Sequence, residues 1–207
     1  MQIQLNAASK RFNKEWIFSN LNFSFITGQH YALIGNNGSG KSTLLQIIAG
    51  YIGLTKGQVN WASTAGKNID SSNIFQYISI AAPYLELVEE LTALEQIAFH
   101  QQFKPLQSGL NSVELLEKIG LVNAADKQIR NFSSGMKQRL KLGLAIFDQA
   151  PILLLDEPCS NLDQEGIQTY HQLMQEYAMH KLIIVASNDP QEYQFCNQQL
   201  ALSDFKQ

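Results

Sequence analysis

Apolar and polar residues alternate through Ile3-Gln4-Leu5 and again through Ile17–Phe25. That is the period of strands with one buried face, so two strands are predicted at the N-terminus. His30–Ile34 (HYALI) is a short apolar run stopped by Gly35, a third strand, and STLLQIIAG after it has the spacing of a helix closed by Gly50. QVNW and QYISIA suggest further strands. Residues 91–120 are mostly helical in pattern, with breaks near Pro105 and Gly109, and the helix after FSSGM follows. ILLLD (152–156) and LIIVAS (182–187) are built almost wholly of Ile, Leu and Val, and a helix is predicted between them over 164–179. Strands apolar on both faces belong to a parallel sheet covered on both sides. The fold class is α/β, with a helical subdomain at about 85–150 inserted between sheet strands in a single domain spanning 1–207.

Composition narrows the partners. At 207 residues and 45% hydrophobic, the chain can bury one sizeable core. A net charge of −3 supplies no global basic field, so no nucleic acid partner is expected. No run approaches the ~18 apolar residues of a membrane span, and the N-terminus lacks an apolar signal core. Cys159 and Cys196 form neither metal spacing nor a disulfide framework, in keeping with a reducing cytoplasm. His30, His100, His171 and His180 do not cluster.

Two stretches carry chemistry. Gly35-Asn36-Asn37-Gly38-Ser39-Gly40-Lys41-Ser42-Thr43 fits G-x-x-x-x-G-K-[ST] directly after a strand and opening a helix. Its glycines let backbone N–H groups turn inward around phosphate oxygens, and the helix adds a positive dipole end. Lys41 is expected on the β and γ phosphates, and the Ser42 hydroxyl on Mg²⁺. ILLLDEP then sets Asp156 and Glu157 at the carboxyl edge of a sheet. Asp156 is the natural Mg²⁺ partner and Glu157 the base for a water attacking the γ-phosphorus.

A third stretch, NFSSGMKQRLKLGLAIF, poses a problem. Lys137, Arg139 and Lys141 crowd the start of the helix that follows Ser133-Ser134-Gly135. Cations near a helix N-terminus are each unfavourable by about 0.3–1 kcal/mol. An incoming anion would explain the capping hydroxyls and the lack of acids there.

The order of P-loop, FSSGM and ILLLDEP resembles the ATP-binding cassette (ABC) ATPase family, over nearly the whole chain. The resemblance implies a P-loop NTPase core with a mostly parallel sheet, an N-terminal antiparallel β-subdomain and the inserted helical subdomain. It implies ATP and Mg²⁺ as cofactors, with Phe12 stacking on adenine. Ser133, Ser134 and Gly135 stand at the family signature, which presses on the γ-phosphate held by a second cassette. Ser160-Asn161-Leu162-Asp163 matches the loop that crosses to that second copy, and Asp163 can also cap the next helix. An ATP-dependent homodimer is therefore implied, peripheral to the cytoplasmic face of a membrane through a separate transmembrane permease. A soluble ABC ATPase of an assembly system, or a nucleotide-gated switch with little hydrolysis, would carry the same motifs.

Three motifs depart from the family pattern. Ser134 and Met136 replace a glycine and a glutamine of the signature. Pro83 stands where a Mg²⁺-contacting glutamine is usual, with Tyr84 and Glu86 the nearest polar residues. Asn188 replaces the switch histidine; it cannot relay a proton but still donates a hydrogen bond. Asn188 joins Glu157 and Lys41 as the expected catalytic set, and slow hydrolysis is expected.

Overall fold

The computed structural model describes residues 1–206. Two sheets share the chain. The first is antiparallel, in the order β2 (Glu15–Ile26), β1 (Gln2–Phe12), β4 (Lys56–Ala62), β5 (Asn68–Ile69). The second runs β6 (Ile78–Ala81), β7 (Ile152–Asp156), β8 (Leu182–Ala186), β3 (His30–Ile34), β9 (Gln198–Ala201), and each of its pairings is parallel. Every residue of β7 and β8 is buried, as continuous apolar strands require when helices cover both faces. Truncating one such leucine, Leu154 for example, to Ala costs about 2–5 kcal/mol.

Helix α1 (Lys41–Ile48) follows β3, and its apolar side lies in the core shared with the antiparallel sheet. The Trp61 indole N–H donates to the Ile48 carbonyl at 3.0 Å, tying the end of α1 to β4. Between β6 and its sheet neighbour β7 lie α2 (Ala93–Gln101), α3 (Ser112–Lys118) and α4 (Ser134–Phe147), the helices expected in the 85–150 segment. Thr92 with Glu95, and Asn111 with Glu114, form capping boxes that start α2 and α3. Helix α5 (Gln164–Leu173) runs into a π-helical turn, Met174–Ala178, which completes the helix read over 164–179.

The strand read in QYISIA begins only at Ile78, because Ser71–Tyr77 winds as a 3-10 helix capped by Asp70. More consequential is the shared register. Asp156 pairs with Ala186 across β7 and β8, and Leu33 pairs with Ala186 across β3 and β8. The P-loop after β3, the acids after β7 and Asn188 after β8 therefore leave the sheet at one edge, side by side.

Candidate functional site

The P-loop is held open by backbone conformations that side chains resist. Gly35, Gly38 and Gly40 have φ of 146°, 75° and 102°. A Cβ on Gly40 would stand 2.3 Å from Ile17 Cγ2, so β2 presses directly on the loop and excludes a side chain there. Gly40 gives α1 no side-chain cap, and no acid occupies its first turn, so its N–H groups face outward unshared. The Ser39 hydroxyl is buried without a protein partner. Free N–H donors, a buried orphan hydroxyl and an ammonium together fit a polyphosphate.

Lys41 is only 5% exposed. Its Nζ donates to the Gly35 carbonyl at 2.7 Å, the Asn36 carbonyl at 3.4 Å and Asn188 Oδ1 at 2.9 Å. Burial lowers its pKa, while the charges of Glu157 and Asp156 oppose that shift. The other end of Asn188 donates to Asn37 Oδ1 at 2.6 Å. Asn188, read from sequence as a catalytic hydrogen-bond donor, is thus tied to the P-loop at both ends.

Asp156 is 2% exposed. Burial raises its pKa, and a hydrogen bond from Ser42 and the charge of Lys41 lower it in part. One carboxylate with one hydroxyl suits Mg²⁺, which binds few protein groups and takes phosphate oxygens and water for the rest. Glu157 adopts φ 45°, the left-handed region that a non-glycine residue occupies only under constraint. The constraint is visible: its N–H donates to the Ala186 carbonyl at 2.9 Å, and its own carbonyl accepts from Ser160 N–H at 3.1 Å.

Phe12, Ile17, Asn37–Thr43 and Glu157 line one cleft of about 340 Å³. Phe12 is 47% exposed where it lines this cleft, so it is not a core aromatic. Ser133, Ser134 and Gly135 are absent from this lining. They open instead on a separate cavity of about 590 Å³, with Arg139, Asn161 and Asp163 on its wall.

The cations of α4 have partners that are remote in sequence. Lys137 meets Glu89 at 2.5 Å and Arg139 meets Asp163 at 2.8 Å, while Lys141 lies 3.5 Å from the Ala82 carbonyl. For Lys137 and Arg139, the anion they seemed to await is supplied by the chain itself. At the start of the helix, Ser133 caps Met136 N–H at 3.2 Å, and a Cβ on Gly135 would meet the Asn161 carbonyl at 2.9 Å. Asp163 caps α5 through Gly166 N–H at 2.8 Å while also holding Arg139.

Beside Pro83, the two polar candidates separate. Tyr84 feels Asp156: burial and that carboxylate push its hydroxyl pKa up, and Gln46 opposes the shift in part. Glu86 faces Lys141 instead. Two further buried residues bear on this site. Gln138 of α4 donates to the Pro158 carbonyl at 2.7 Å, and Glu192 accepts from Cys159 N–H at 2.7 Å, so both grip the turn after Glu157. Neither belongs to a local pattern that would mark it.

The family model for ABC transporters matches residues 18–160, which contain the P-loop, FSSGM and Glu157. The chain belongs to this family. The cassette is 29% identical over 192 residues to an uncharacterised ABC transporter ATP-binding protein of Bacillus subtilis, covering 92% of this chain and 87% of that one. It is 28% identical to the cytochrome c biogenesis ATP-binding export protein CcmA of Haemophilus influenzae, covering 99% and 97%. Among solved structures, a dimeric ATP-binding cassette in a post-hydrolysis state with ADP and Pi superposes with a TM-score of 0.81 at 23% identity, over 96% of this chain and 93% of that one. That likeness bears on the fold: the cassette has the α/β architecture of ABC ATPases. No helix of the described residues is long and apolar enough to cross a membrane.

Proposed function

We propose that the cassette binds Mg²⁺-ATP in the 340 Å³ cleft, pairs head to tail with a second copy, and hydrolyses ATP slowly to drive a separate membrane permease. The observation that carries this reading is the convergence of Phe12, the P-loop and Glu157 on that one cleft. Phe12 stacks on adenine, Gly35–Thr43 wrap the phosphates, and Lys41 leaves Asn188 to neutralise the β and γ oxygens. Ser42 and Asp156 would hold Mg²⁺, which would supply neutralisation of the phosphate charge.

Glu157 takes a proton from water as its oxygen bonds to the γ-phosphorus, and the bond from that phosphorus to the β–γ bridging oxygen breaks. Asn188 Nδ2, one hydrogen of which goes to Asn37, donates the other to a γ oxygen. Ser133, Ser134 and the Gly135 backbone of the second copy close over the same phosphate. Their separation from the cleft within one chain supports a composite site. Likeness to an export protein over nearly the full length supports an exporter among permease systems.

Purified protein with Mg²⁺-ATP is expected to release phosphate slowly, and Glu157→Gln to lower that rate at least about 100-fold while retaining nucleotide. An unchanged rate in Glu157→Gln sinks the mechanism. The double tie on Asn188 favours a second reading, a switch that dimerises on ATP and scarcely turns it over. ATP-dependent dimers without phosphate release would select it.

A further inference from the structure

Glu192 stands outside every motif, in the short 3-10 turn Pro190–Tyr193 that follows Asn188. It is 5% exposed. One carboxyl oxygen, Oε1, accepts from Cys159 N–H at 2.7 Å, and the Ser187 hydroxyl lies against the same carboxyl. The residue's backbone carbonyl accepts from the Tyr170 hydroxyl at 2.8 Å, which anchors the turn to α5. The other carboxyl oxygen, Oε2, is enclosed with no partner among the described residues. Burial, with the nearby charges of Asp189 and Glu157, raises the pKa of this carboxyl.

An unpartnered buried oxygen is unfavourable for folding, so stability alone gives no reason for a glutamate here. The location does. Cys159 lies two residues beyond Glu157, and Ser187 immediately precedes Asn188. Glu157 needs outside constraint to hold φ 45°, and its turn receives it from three directions: Ala186 through the Glu157 N–H, Gln138 through the Pro158 carbonyl, and Glu192 through the Cys159 N–H. Of these, only Glu192 belongs to the turn that follows Asn188.

We propose that Glu192 is a positioning residue: one buried carboxyl clamps the turn carrying Glu157 to the strand end carrying Asn188, so the two keep a fixed mutual geometry. The inference rests on the reading of Glu157 as the base. Displacement of such a group by about 1 Å costs roughly 100-fold in rate.

The test compares Glu192→Gln, Glu192→Asp and Glu192→Leu with Glu157→Gln, measuring kcat, KM for ATP and Tm. Glutamine keeps an acceptor for Cys159 N–H and is expected to hold kcat within about threefold. Aspartate, one methylene short of that N–H, and leucine, with no acceptor, are expected to lose about tenfold or more in kcat with KM within about twofold. Should leucine prevent folding, the Gln and Asp pair decides. Wild-type kcat in the Asp and Leu variants, or a parallel loss of kcat and Tm in all three, overturns the proposal. If Glu157→Gln is inactive while Glu192→Asp and Glu192→Leu are normal, only the positioning role fails. If Glu157→Gln is fully active, the underlying reading fails and the positioning role with it.

Discussion

Replacing Asn188 by Ala breaks two bonds at once. Its Oδ1 accepts from the Lys41 ammonium at 2.9 Å, and its Nδ2 donates to Asn37 Oδ1 at 2.6 Å. A bond to a charged group contributes about 1.5–3 kcal/mol net and a neutral one about 0.5–1.5 kcal/mol. Asn188 is exposed, so the low ends apply, giving about 2 kcal/mol together. Phosphate must take Lys41 away from Asn188, and the variant removes that competition. ADP, which has no γ-phosphate to miss the amide, is expected to bind Asn188→Ala about tenfold more tightly, because only the Lys41 bond, about 1.5 kcal/mol of that total, competes with phosphate. ATP gains less, because the amide it would have met is gone. Hydrolysis is expected to fall about 10–100-fold, less than the loss of a dedicated oxyanion donor, because Nδ2 is shared with Asn37. Asn188→His, which restores a proton-relaying ring, is expected to raise kcat several-fold. Calorimetric titration with ADP and ATP, followed by single-turnover hydrolysis, reads each effect separately. ADP affinity within twofold of wild type, or weaker, would refute the competition argument.

Burial lowers the pKa of Lys181, 1% exposed at the start of β8, from 10.5 to about 8. Between those values the unfolded chain holds the proton that the folded chain has released, so stability rises with pH across that window. Relative to Lys181→Met, the wild type is expected to gain about 2 kcal/mol between pH 7 and pH 9.5 in urea unfolding, and a constant difference would refute this. Burial pushes the thiols of Cys159 and Cys196 up to about 12. Iodoacetamide at pH 8 is therefore expected to label the folded chain roughly a thousandfold more slowly than the unfolded one, and labelling within tenfold would contradict it.

What was legible in the sequence is what local pattern encodes. HYALI, ILLLD and LIIVA emerge as strands because a buried strand is apolar at nearly every position, and the P-loop declares itself through glycines that only a tight anion cradle needs. The antiparallel partner β5 is two residues long, and β9 is a glutamine-rich edge strand, half of it exposed; neither has enough apolar period to register. Charge was misread for a related reason. Lys137 and Arg139 looked unpartnered because their acids, Glu89 and Asp163, lie 48 and 24 positions away. The tie between Lys41 and Asn188 spans 147 positions and the grip of Glu192 on Cys159 spans 33, so only the sheet order that sets β3 beside β8 and β8 beside β7 brings them together.

The central claim is that one chain holds two halves of different phosphate sites. Light scattering of Glu157→Gln with Mg²⁺-ATP or Mg²⁺-ADP, alone and combined with Ser133→Arg, tests it most directly. The expected result is a dimer with ATP and a monomer with ADP, with Ser133→Arg remaining monomeric while still binding ATP. A monomer under all conditions, or a dimer that Ser133→Arg leaves intact, would contradict it.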